Sequence, residues 1–383
     1  MSARRIAVLT MARSEYGLYR PLLRAICDEP ALELQLVIGA AHLDPQYNTV
    51  QEIEADGFAA AAHIPAPLEG DGPAAIANIM AKIAAGVAEA LDRLKPDMIV
   101  VLGDRSEMAA AVLAATPFVI PIAHVAGGAT TRGAIDDGFR HAISKLSHLH
   151  FPETEIQRQR LLRLGEEPWR IHVTGSLSID NAVALSPLSE TELAKEFGFD
   201  LSTQPLLVTL HPETRDFRNT SHHVDILLDA LEDERGPIIF TYPGADTSGR
   251  IIIARIEEFV SRHREKAYAI PHMGTRGYLS VMRRARAMVG NSSSGIIEAA
   301  SFKLPVVNIG RRQEGRVAPA NVIGCDFDAA EIKTAIGRAT SRAFQATLQN
   351  LVNPYGQGDA ASRMTALLKA VPLNEKLLMK RDF

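Results

Sequence analysis

The 383-residue chain has two cysteines, few aromatic residues and little net charge, and each scarcity excludes a class of protein. Cys27 and Cys325 lie far apart without metal or redox spacing, which excludes a disulfide framework and predicts a reducing, cytoplasmic location. The net charge of -4 argues against a general affinity for nucleic acid or an anionic membrane. Although only 5% of the residues are aromatic, 46% are hydrophobic, enough for two or three domains with their own cores.

Several catalytic and cofactor motifs are also missing. The sequence has no G-x-S-x-G, no Walker lysine loop and no zinc-protease motif, which argues against those hydrolases and kinases. The loop after the first predicted strand lacks G-x-G-x-x-G, so nicotinamide and flavin binding are unsupported. His148 and His150 have no third ligand at a convincing spacing, and we therefore predict no metal and no cofactor.

Long hydrophobic runs are present but interrupted. The run over 6–12 is too short for a secretory signal, because Arg13 ends it. Residues 108–131 carry no charge and could span a bilayer by length, but Pro117 and Pro121 break the run. We predict a buried helix followed by a buried strand, and no membrane segment.

Apolar runs of strand length alternate with segments of helical period, which is typical of β-α-β units on parallel sheets. A polar stretch over 176–204 interrupts the alternation and is the predicted domain junction. Long helices are predicted over 16–28 and 76–94, and helical sequence from 329 onward. The predicted strands are 6–10, 34–39, 98–102, 120–125, 171–174, 206–210, 238–242, 267–270, 287–289 and 306–309.

These elements predict an α/β fold of two doubly wound, Rossmann-like parallel-sheet domains. The first covers 1–180 and the second 181–365, while a helical segment over 366–383 crosses back to the first domain. Ligands of such sheets bind outside the carboxyl ends of the strands, so we expect the functional residues in the loops that follow them.

The loop after strand 287–289 is a candidate site for a diphosphate. It places three consecutive serines, Ser292, Ser293 and Ser294, between glycines at a predicted helix start. Backbone N–H groups, hydroxyls and the helix N-terminus all favour an anion there. An ordinary helix N-cap is the alternative. Glu298, one turn on, is placed to accept hydrogen bonds from ribose hydroxyls, or is a solvated helix residue.

Two further loops carry cations. Arg312 and Arg316, with Gly315 between them, follow strand 306–309 and suit phosphate oxygens, although solvated loop arginines have the same pattern. His211 begins the loop after strand 206–210, where it would donate to a leaving phosphate or play a structural part.

Carboxylates cluster after strands of the first half. Asp104 and Arg105 follow strand 98–102, and Asp136 and Asp137 precede Arg140 by helical spacing. Such a set could supply an acid and a base for proton transfer. The alternatives are a helix cap for Asp104 and first-turn residues that complement the helix dipole for the others.

In this order, the motifs resemble those of the hydrolysing UDP-N-acetylglucosamine 2-epimerases, including bacterial enzymes that start sialic acid and legionaminic acid synthesis. The resemblance runs nearly end to end. It rests on Arg13, His42-Leu43, Gly103-Asp104-Arg105, the segment 133–137, the segment 140–145, the segment 147–151, His211-Pro212, Tyr242-Pro243 with Asp246, the segment 290–298, the segment 307–310, Arg312-Gln313 and Gly315-Arg316.

The resemblance implies a GT-B-like fold whose two domains face a central cleft, a homo-oligomer, and chemistry without metal or redox cofactor. Enzymes of this family eliminate UDP to a 2-acetamidoglycal and add water, which releases the free 2-epimerised sugar. By resemblance the catalytic residues are Asp104, Asp136, Asp137 and His211. The implied substrate-binding residues are Arg13, His42, Arg105, Arg140, Asp246, Ser292, Ser293, Ser294, Glu298, Arg312, Gly315 and Arg316.

The sequence departs from the family where a glutamate is usual beside Gly127-Gly128, because Ala126 and Ala129 occupy both candidate positions. Arg132 and Gly244 are further departures. Either the three aspartates suffice, another acid such as Glu15 or Glu107 substitutes, or the substrate differs. The donor stays open between UDP-GlcNAc, its 2,4-diacetamido-trideoxy relative and a GDP-sugar. A binding protein without turnover, a non-hydrolysing epimerase and a GT-B glycosyltransferase are the alternatives.

Overall fold

The computed structural model describes residues 3–43, 49–67, 72–130, 136–199, 203–213, 216–243 and 248–381, without the side chains of Arg13, Ser14 and Phe217. These residues form two compact units. The first unit contains the described residues up to 130, then 136–181 and 355–381, and the second contains those of 182–354.

The first unit is built on a parallel sheet in the order β3-β2-β1-β4-β5-β6. Its strands are β1 Arg4–Thr10, β2 Leu32–Gly39, β3 Ala60–Ile64, β4 Met98–Leu102, β5 Ile122–Val125 and β6 Leu149–Phe151. The helices of its first stretch of chain are α1 Arg13–Asp28, α2 Thr49–Ala55, α3 Pro73–Leu94, α4 Ser106–Ala115, α5 Asp136–Leu146, α6 Glu155–Arg163 and α7 Leu177–Ala184. The chain passes from the first unit to the second within α7.

The second unit repeats this plan with a parallel sheet in the order β12-β11-β10-β7-β8-β9. Its strands are β7 Leu206–Thr209, β8 Ile238–Thr241, β9 Ala267–Ile270, β10 Ala287–Gly290, β11 Val306–Ile309 and β12 Val322–Cys325. The remaining helices are α8 Glu190–Phe197, α9 Thr220–Leu231, α10 Gly249–Arg262, α11 Gly274–Met282, α12 Ser293–Ile297, α13 Ala329–Ala339 and α14 Arg342–Thr347, followed in the first unit by α15 Ala360–Ala370 and α16 Glu375–Leu378.

Continuous hydrophobic runs form the central strands because helices cover both faces of each sheet. All five residues of β4 are buried. In the first unit, α1 and α15 pack on one face and α3 and α4 on the other. The predicted α/β fold of two doubly wound parallel sheets is confirmed, and the uncharged run 108–131 contains most of α4 and β5, as predicted.

One described helix, α3, is long and apolar enough to cross a membrane by length and composition alone, with a mean hydropathy of 1.5. Its buried residues Ile79, Ile83, Val87 and Leu91 belong to the hydrophobic core of the first unit. It also packs against α4. We therefore interpret α3 as a core helix.

The strand predicted over 171–174 is wrong, because Ile171 makes only an isolated bridge to His150 within the described residues. The segment runs beside edge strand β6 and turns away at Gly175, whose φ is 91°. Three real strands carry weak signals and are absent from the predicted strands: β3 is largely alanine, β6 has only three residues, and β12 contains Gly324.

The return to the first unit comes earlier than the predicted boundary at 366, since the first unit already includes the chain from Tyr355. The Ser176 N–H donates to the Tyr355 carbonyl at 2.7 Å. The buried Asp180 carboxylate accepts the N–H groups of Ala360 and Ala361 at 3.1 and 3.2 Å, which holds the start of α15. These contacts, which periodicity does not reveal, fix the boundary.

Candidate active site

Both sheets reverse their strand order at one point, and the candidate site residues follow the strands on either side of it. The reversal lies between β1 and β4 in the first unit and between β7 and β10 in the second. In open α/β sheets, ligands bind outside the carboxyl ends of the strands at such a point. Glu15 and Asp104 follow β1 and β4, whereas His211 and Asn291 follow β7 and β10.

Asn291 joins three loops of the second unit. It is fully buried, its Oδ1 accepts the His211 N–H at 2.7 Å, and its Nδ2 donates to the His211 carbonyl at 2.9 Å. Its own carbonyl accepts hydrogen bonds from Arg312 Nη1 at 3.2 Å and Gln313 Nε2 at 2.8 Å. The structure thus brings His211 and Arg312 to the same buried residue, although the sequence analysis gave Asn291 no role of its own.

Two glycines allow the close approach of these loops. Gly290 has a φ of 132°, and a Cβ there would lie 2.0 Å from the Thr209 carbonyl oxygen. Gly310 has a φ of 70°, and a Cβ there would lie 2.4 Å from Glu213 Oε1. That oxygen accepts the backbone N–H groups of Arg311 and Arg312 at 2.7 and 3.1 Å, so Glu213 fixes the arginine loop.

The serine loop has the expected capping geometry but a shorter helix than predicted. The Ser292 hydroxyl accepts the Ser294 N–H at 3.4 Å and caps α12. This helix has five residues, so its dipole is small and backbone N–H groups and hydroxyls would supply most of an anion site. Glu298 ends the helix instead of lying within it. Ser293, half-buried, is in the first turn.

The loop after β11 turns at Gly315, whose φ is 90°, and the half-buried Arg316 follows it. The Arg316 N–H donates to the Gln313 carbonyl at 3.2 Å. Through Gln313 and Arg312, this loop is tied to Asn291. The serine and arginine loops therefore converge on one buried residue.

Because these loops are the predicted diphosphate site, replacing Asn291 with alanine is expected to weaken UDP binding at least tenfold. The change removes the Asn291 amide that pairs with the His211 N–H and carbonyl, at a cost of about 1–3 kcal/mol, and releases the His211 loop from the serine and arginine loops. Titration calorimetry with UDP measures the effect. Asn321→Ala is the matched control, because Asn321 is also fully buried and donates to the Leu304 carbonyl, but precedes β12 at the opposite edge of the sheet. Equal affinity in both variants would contradict the prediction.

In the first unit, Arg140 joins two of the predicted catalytic aspartates. It lies in α5, its side chain is 5% exposed, and its Nη1 donates to Asp137 Oδ1 at 2.6 Å. Its Nη2 donates to Asp104 Oδ2. The guanidinium fork therefore orients both carboxylates.

Asp136 lies in a different environment, beside an exposed arginine. Burial raises the pKa of its carboxyl, and neighbouring Asp137 and Glu107 add to the effect while Arg105 opposes it. Arg105 Nη2 donates to Glu107 Oε1 at 3.0 Å, and the Arg105 side chain is 47% exposed. The three aspartates thus divide into an arginine-bound pair and one carboxyl suited to holding a proton.

Glu15, in the segment that follows β1, is a further buried acid. The sequence suggested it only as a substitute for the missing glutamate. It is 3% exposed, and its Oε2 accepts the N–H groups of Met11 and Ala12 at 2.6 and 3.1 Å. Its Oε1 is buried without a hydrogen-bond partner. Burial raises the pKa of Glu15 to about 7, and Glu107 adds to the shift while Arg105 reduces it.

The raised pKa of Glu15 makes stability depend on pH. The native state keeps the proton after the unfolded chain loses it, so the free energy of unfolding falls as pH rises from about 4.5 to about 7. Across that window Glu15 contributes a loss of up to about 3 kcal/mol. Glu15→Gln keeps an acceptor oxygen for Met11 and Ala12, and urea unfolding between pH 4 and 8 should show a flatter profile for it. Identical profiles would contradict the assignment.

His124 connects the Asp104 turn to α5. It is fully buried, its Nε2 donates to the Gly103 carbonyl at 2.9 Å, and its Nδ1 accepts the Ser144 hydroxyl at 3.0 Å. Burial lowers the pKa of His124 to about 3, so the ring is neutral. This ring sets the register between Asp104 and the helix that carries Asp136, a role that sequence spacing does not reveal.

The family model described as UDP-N-acetylglucosamine 2-epimerase matches residues 24–369. The chain belongs to this epimerase family. It is 38% identical over 347 residues to the GDP/UDP-N,N'-diacetylbacillosamine 2-epimerase (hydrolyzing) of Campylobacter jejuni, covering 90% of each chain. It is 34% identical to the UDP-N,N'-diacetylbacillosamine 2-epimerase (hydrolyzing) of Legionella pneumophila, covering 98% of each. The predicted family is therefore confirmed.

Solved structures of the epimerase family share its GT-B-like fold. A putative UDP-N-acetylglucosamine 2-epimerase from Listeria monocytogenes superimposes with a TM-score of 0.81 at 19% identity, covering 97% of this chain and 96% of that one. The Neisseria meningitidis UDP-GlcNAc 2-epimerase bound to UDP-GlcNAc gives 0.78 at 19% identity, covering 95% and 99%. At these identities the likeness shows the fold alone.

The turn after β5 is where the resemblance to this epimerase family predicts a glutamate. Ala126 has a φ of 62°, a left-handed conformation that is rare for alanine, and its N–H donates to the Phe151 carbonyl at 3.0 Å. Gly128 packs against α6, where a Cβ would lie 2.4 Å from the Gln157 carbonyl oxygen. Ala126 and Ala129 are half-buried, and neither has an ionisable side chain. The turn is intact, but it provides no carboxylate at either position.

Of the other predicted substrate-binding residues, His42 is buried and has a structural part, and two lie wholly or partly outside the described residues. His42 is 1% exposed, and its ring nitrogens lie 3.0 and 2.8 Å from the hydroxyls of Thr10 and Thr49. Burial lowers its pKa to about 4, so His42 is a neutral, fully bonded group that shapes the loop after β2. The side chain of Arg13 and the whole of Asp246 lie outside the described residues, as do Arg132 and Gly244.

His148 precedes β6, His150 lies within it, and His150 is paired with a carboxylate. His150 Nε2 lies 2.9 Å from Glu166 Oε2, and both side chains are fully buried. The described residues contain no group of three histidine, cysteine, aspartate or glutamate side chains that could hold a metal ion.

Proposed function

We propose that the protein is a hydrolysing 2-epimerase of UDP-activated 2-acetamido sugars. The observation that carries the proposal is the carboxyl cluster of the first unit, in which Arg140 binds Asp104 and Asp137, while burial raises the pKa of Asp136. A sugar C2–H beside an acetamido group is weakly acidic, so its removal needs a positioned base, and its replacement needs an acid. The relatives named as hydrolysing 2-epimerases support the same reaction.

In the proposed reaction, a carboxylate removes the C2 proton while the C1–O bond to UDP breaks, which gives a C1=C2 glycal and free UDP. Water then adds at C1, and a carboxyl returns a proton to C2 on the opposite face. Asp104 and Asp136 are the proposed base and acid, with Asp137 as a helper. The reaction consumes one water, and no cofactor takes part.

The loops of the second unit are proposed to bind the leaving diphosphate. Ser292, Ser293 and Ser294 would offer hydroxyl and backbone donors, and Arg312 and Arg316 positive charge, which together stabilise the departing anion. His211 would donate to the phosphate, Glu298 would accept from the ribose hydroxyls, and Gly315 would allow the arginine loop to turn. In the first unit, Arg105 is the exposed cation closest in sequence to the acids, and we assign it to the substrate together with Arg13. Asp246 is proposed as a further substrate contact.

The proposed donor is a UDP-2,4-diacetamido-trideoxyglucose, because relatives at 38% and 34% identity are named for diacetylbacillosamine. UDP-GlcNAc is the second candidate, supported by the Neisseria meningitidis UDP-N-acetylglucosamine 2-epimerase at 30% identity. The free sugar would then enter sialic or legionaminic acid synthesis in the cytoplasm, and we expect a homo-oligomer. The Campylobacter relative is named for both GDP and UDP, so both nucleotides belong in the assay.

Incubation with each donor in deuterated water tests the proposal. The expected result is free nucleoside diphosphate and a manno-configured sugar with deuterium at C2, by mass spectrometry and NMR. A 2-epimer that retains UDP would replace the proposal with a non-hydrolysing epimerase. Transfer of the sugar to an added acceptor would replace it with a glycosyltransferase.

The alanines at positions 126 and 129 favour one alternative, a nucleotide-sugar-binding protein without turnover. Titration calorimetry separates the two functions. UDP-sugar binding with no UDP release from any of the donors would support the binding protein, whereas turnover would show that Asp104, Asp136 and Asp137 suffice or that Glu15 or Glu107 substitutes.

A further inference from the structure

The C-terminal tail, residues 375–381, is bound to the first unit by a fully buried arginine. Arg170 Nη1 donates to the Leu377 carbonyl at 2.7 Å, and its Nη2 donates to the carbonyls of Lys376 and Met379 at 3.0 and 2.9 Å. Its Nε donates to Glu167 Oε2 at 2.8 Å. One guanidinium therefore holds three carbonyls of the tail, which gives the last residues a defined path.

This path places Lys380 at the C-terminal end of α5. Its Nζ donates to the carbonyls of Lys145 and Ser147 at 2.9 and 2.8 Å, with the Ser144 carbonyl at 3.5 Å. The last carbonyls of a helix have no partner within the helix and carry a partial negative charge. The ammonium of Lys380 donates hydrogen bonds to these carbonyls and places a positive charge beside their partial negative charge.

Lys380 is also one of two lysines that pair with a buried anion, the other being Lys145, whose Nζ lies 3.2 Å from Glu166 Oε1. The Nζ of Lys380 lies 2.7 and 2.6 Å from Glu166 Oε1 and Oε2, and the Glu166 side chain is fully buried. Burial acts against the charge of Glu166, but hydrogen bonds from His150 and Lys380 prevail and lower its pKa to about 2. Removing Lys380 would leave helix carbonyls and a buried carboxylate with fewer donors, so α5 would have to move.

α5 carries the proposed proton-transfer groups at its other end. Asp136 and Asp137 are in its first turn, Arg140 in its second and Ser144, which bonds to His124, in its third. From Asp136 to Lys145 the helix axis measures about 14 Å, over which a helix moves as a rigid rod. A displacement of about 1 Å at a reacting group is enough to lower a rate about 100-fold.

We propose that Lys380 is a positioning residue, through which the C-terminal tail sets the place of α5 and of its carboxylates for turnover. The inference rests on the proposed function, and it extends the catalytic arrangement to the end of the chain.

The kinetic test is Lys380→Met, measured by UDP release. We expect kcat to fall at least tenfold while KM for the UDP-sugar stays within twofold, because the diphosphate loops belong to the second unit. Lys380→Arg keeps the cation and should recover most of kcat. The matched control is Lys369→Met, since Lys369 belongs to the same returning segment but pairs with Glu29 on the surface, 50% exposed. The control should keep wild-type kcat.

Hydrogen–deuterium exchange tests the same proposal without turnover. Peptides covering 136–146 should exchange faster in Lys380→Met than in the wild type and in Lys369→Met. If their exchange is unchanged, or if kcat falls only in proportion to the folded fraction, the proposal is overturned. If the wild type turns over no donor, the proposed function fails, whereas the exchange measurement still decides whether the tail holds α5.

Discussion

Replacing Asp136 with asparagine is expected to lower kcat by a factor of about 10²–10⁴, the usual contribution of a general acid or base. Burial raises the pKa of this carboxyl, which suits the carboxyl to hold a proton, and an amide cannot transfer one. UDP affinity should stay unchanged, because the residues assigned to the diphosphate lie in the second unit. Initial rates of UDP release and calorimetry with UDP measure the two quantities.

The matched control for this prediction is Asp97→Asn. Asp97 precedes β4, at the opposite edge of the same sheet from Asp104, and pairs with Arg5 at 3.2 Å. Its replacement should leave kcat within about twofold of the wild type, as expected for a surface ion pair. Wild-type kcat in Asp136→Asn would show that Asp136 takes no part in the mechanism. Asp104 or Glu15 would then be the group that transfers the proton at C2.

Replacing Arg140 with methionine is expected to lower the free energy of unfolding by about 3–5 kcal/mol, the cost of breaking a buried ion pair. The side chain is 5% exposed and serves two carboxylates, Asp104 and Asp137, which would be left close together without their cation. Turnover should also be lost, since neither carboxylate keeps its orientation. Urea unfolding followed by circular dichroism measures the first effect and UDP release the second.

Two comparisons identify the cause of that loss. Arg5→Met breaks the Arg5–Asp97 pair, in which the arginine is 39% exposed, and should cost no more than about 1 kcal/mol. Adding Asp137→Asn to Arg140→Met removes one of the two neighbouring negative charges, so stability should partly recover while kcat does not. A loss below 1 kcal/mol in Arg140→Met would show that the carboxylates find other partners.

Local signals predicted most of the central strands. The apolar runs of β4 and β11 have the predicted bounds, because a strand covered on both faces must be hydrophobic throughout. Edge strands carry less of this signal: β3, β6 and β12 were missed, although the edge strand β9 was predicted with its observed bounds. The bounded apolar run 171–174 has the composition of a strand, but a strand also needs a partner along its length, and Ile171 has only an isolated bridge within the described residues.

The sequence predicted in which loops the candidate site residues lie better than it predicted which contacts they make. The sequence marked the loop from Gly290 to Gly295 as functional, but not that Asn291 bonds to His211, 80 residues away. The sequence offered Glu15 only as a substitute acid just before the predicted helix 16–28, and it does not reveal the burial of Glu15 without a partner for Oε1. Hydrogen-bond partners depend on which strands are neighbours in the sheet, and hydrophobic periodicity does not predict strand order.

Local sequence patterns were enough to predict most of the central strands, the loops that follow them and, through the motifs, the epimerase family. Which charges meet depends instead on the folded chain: Arg140 binds Asp104, 36 residues away, and Lys380 binds Glu166, 214 residues away. The physical reason is the range of the forces involved. Burial patterns repeat locally along the chain, whereas ion pairs and pKa shifts arise from contacts that form when the folded chain brings distant segments together.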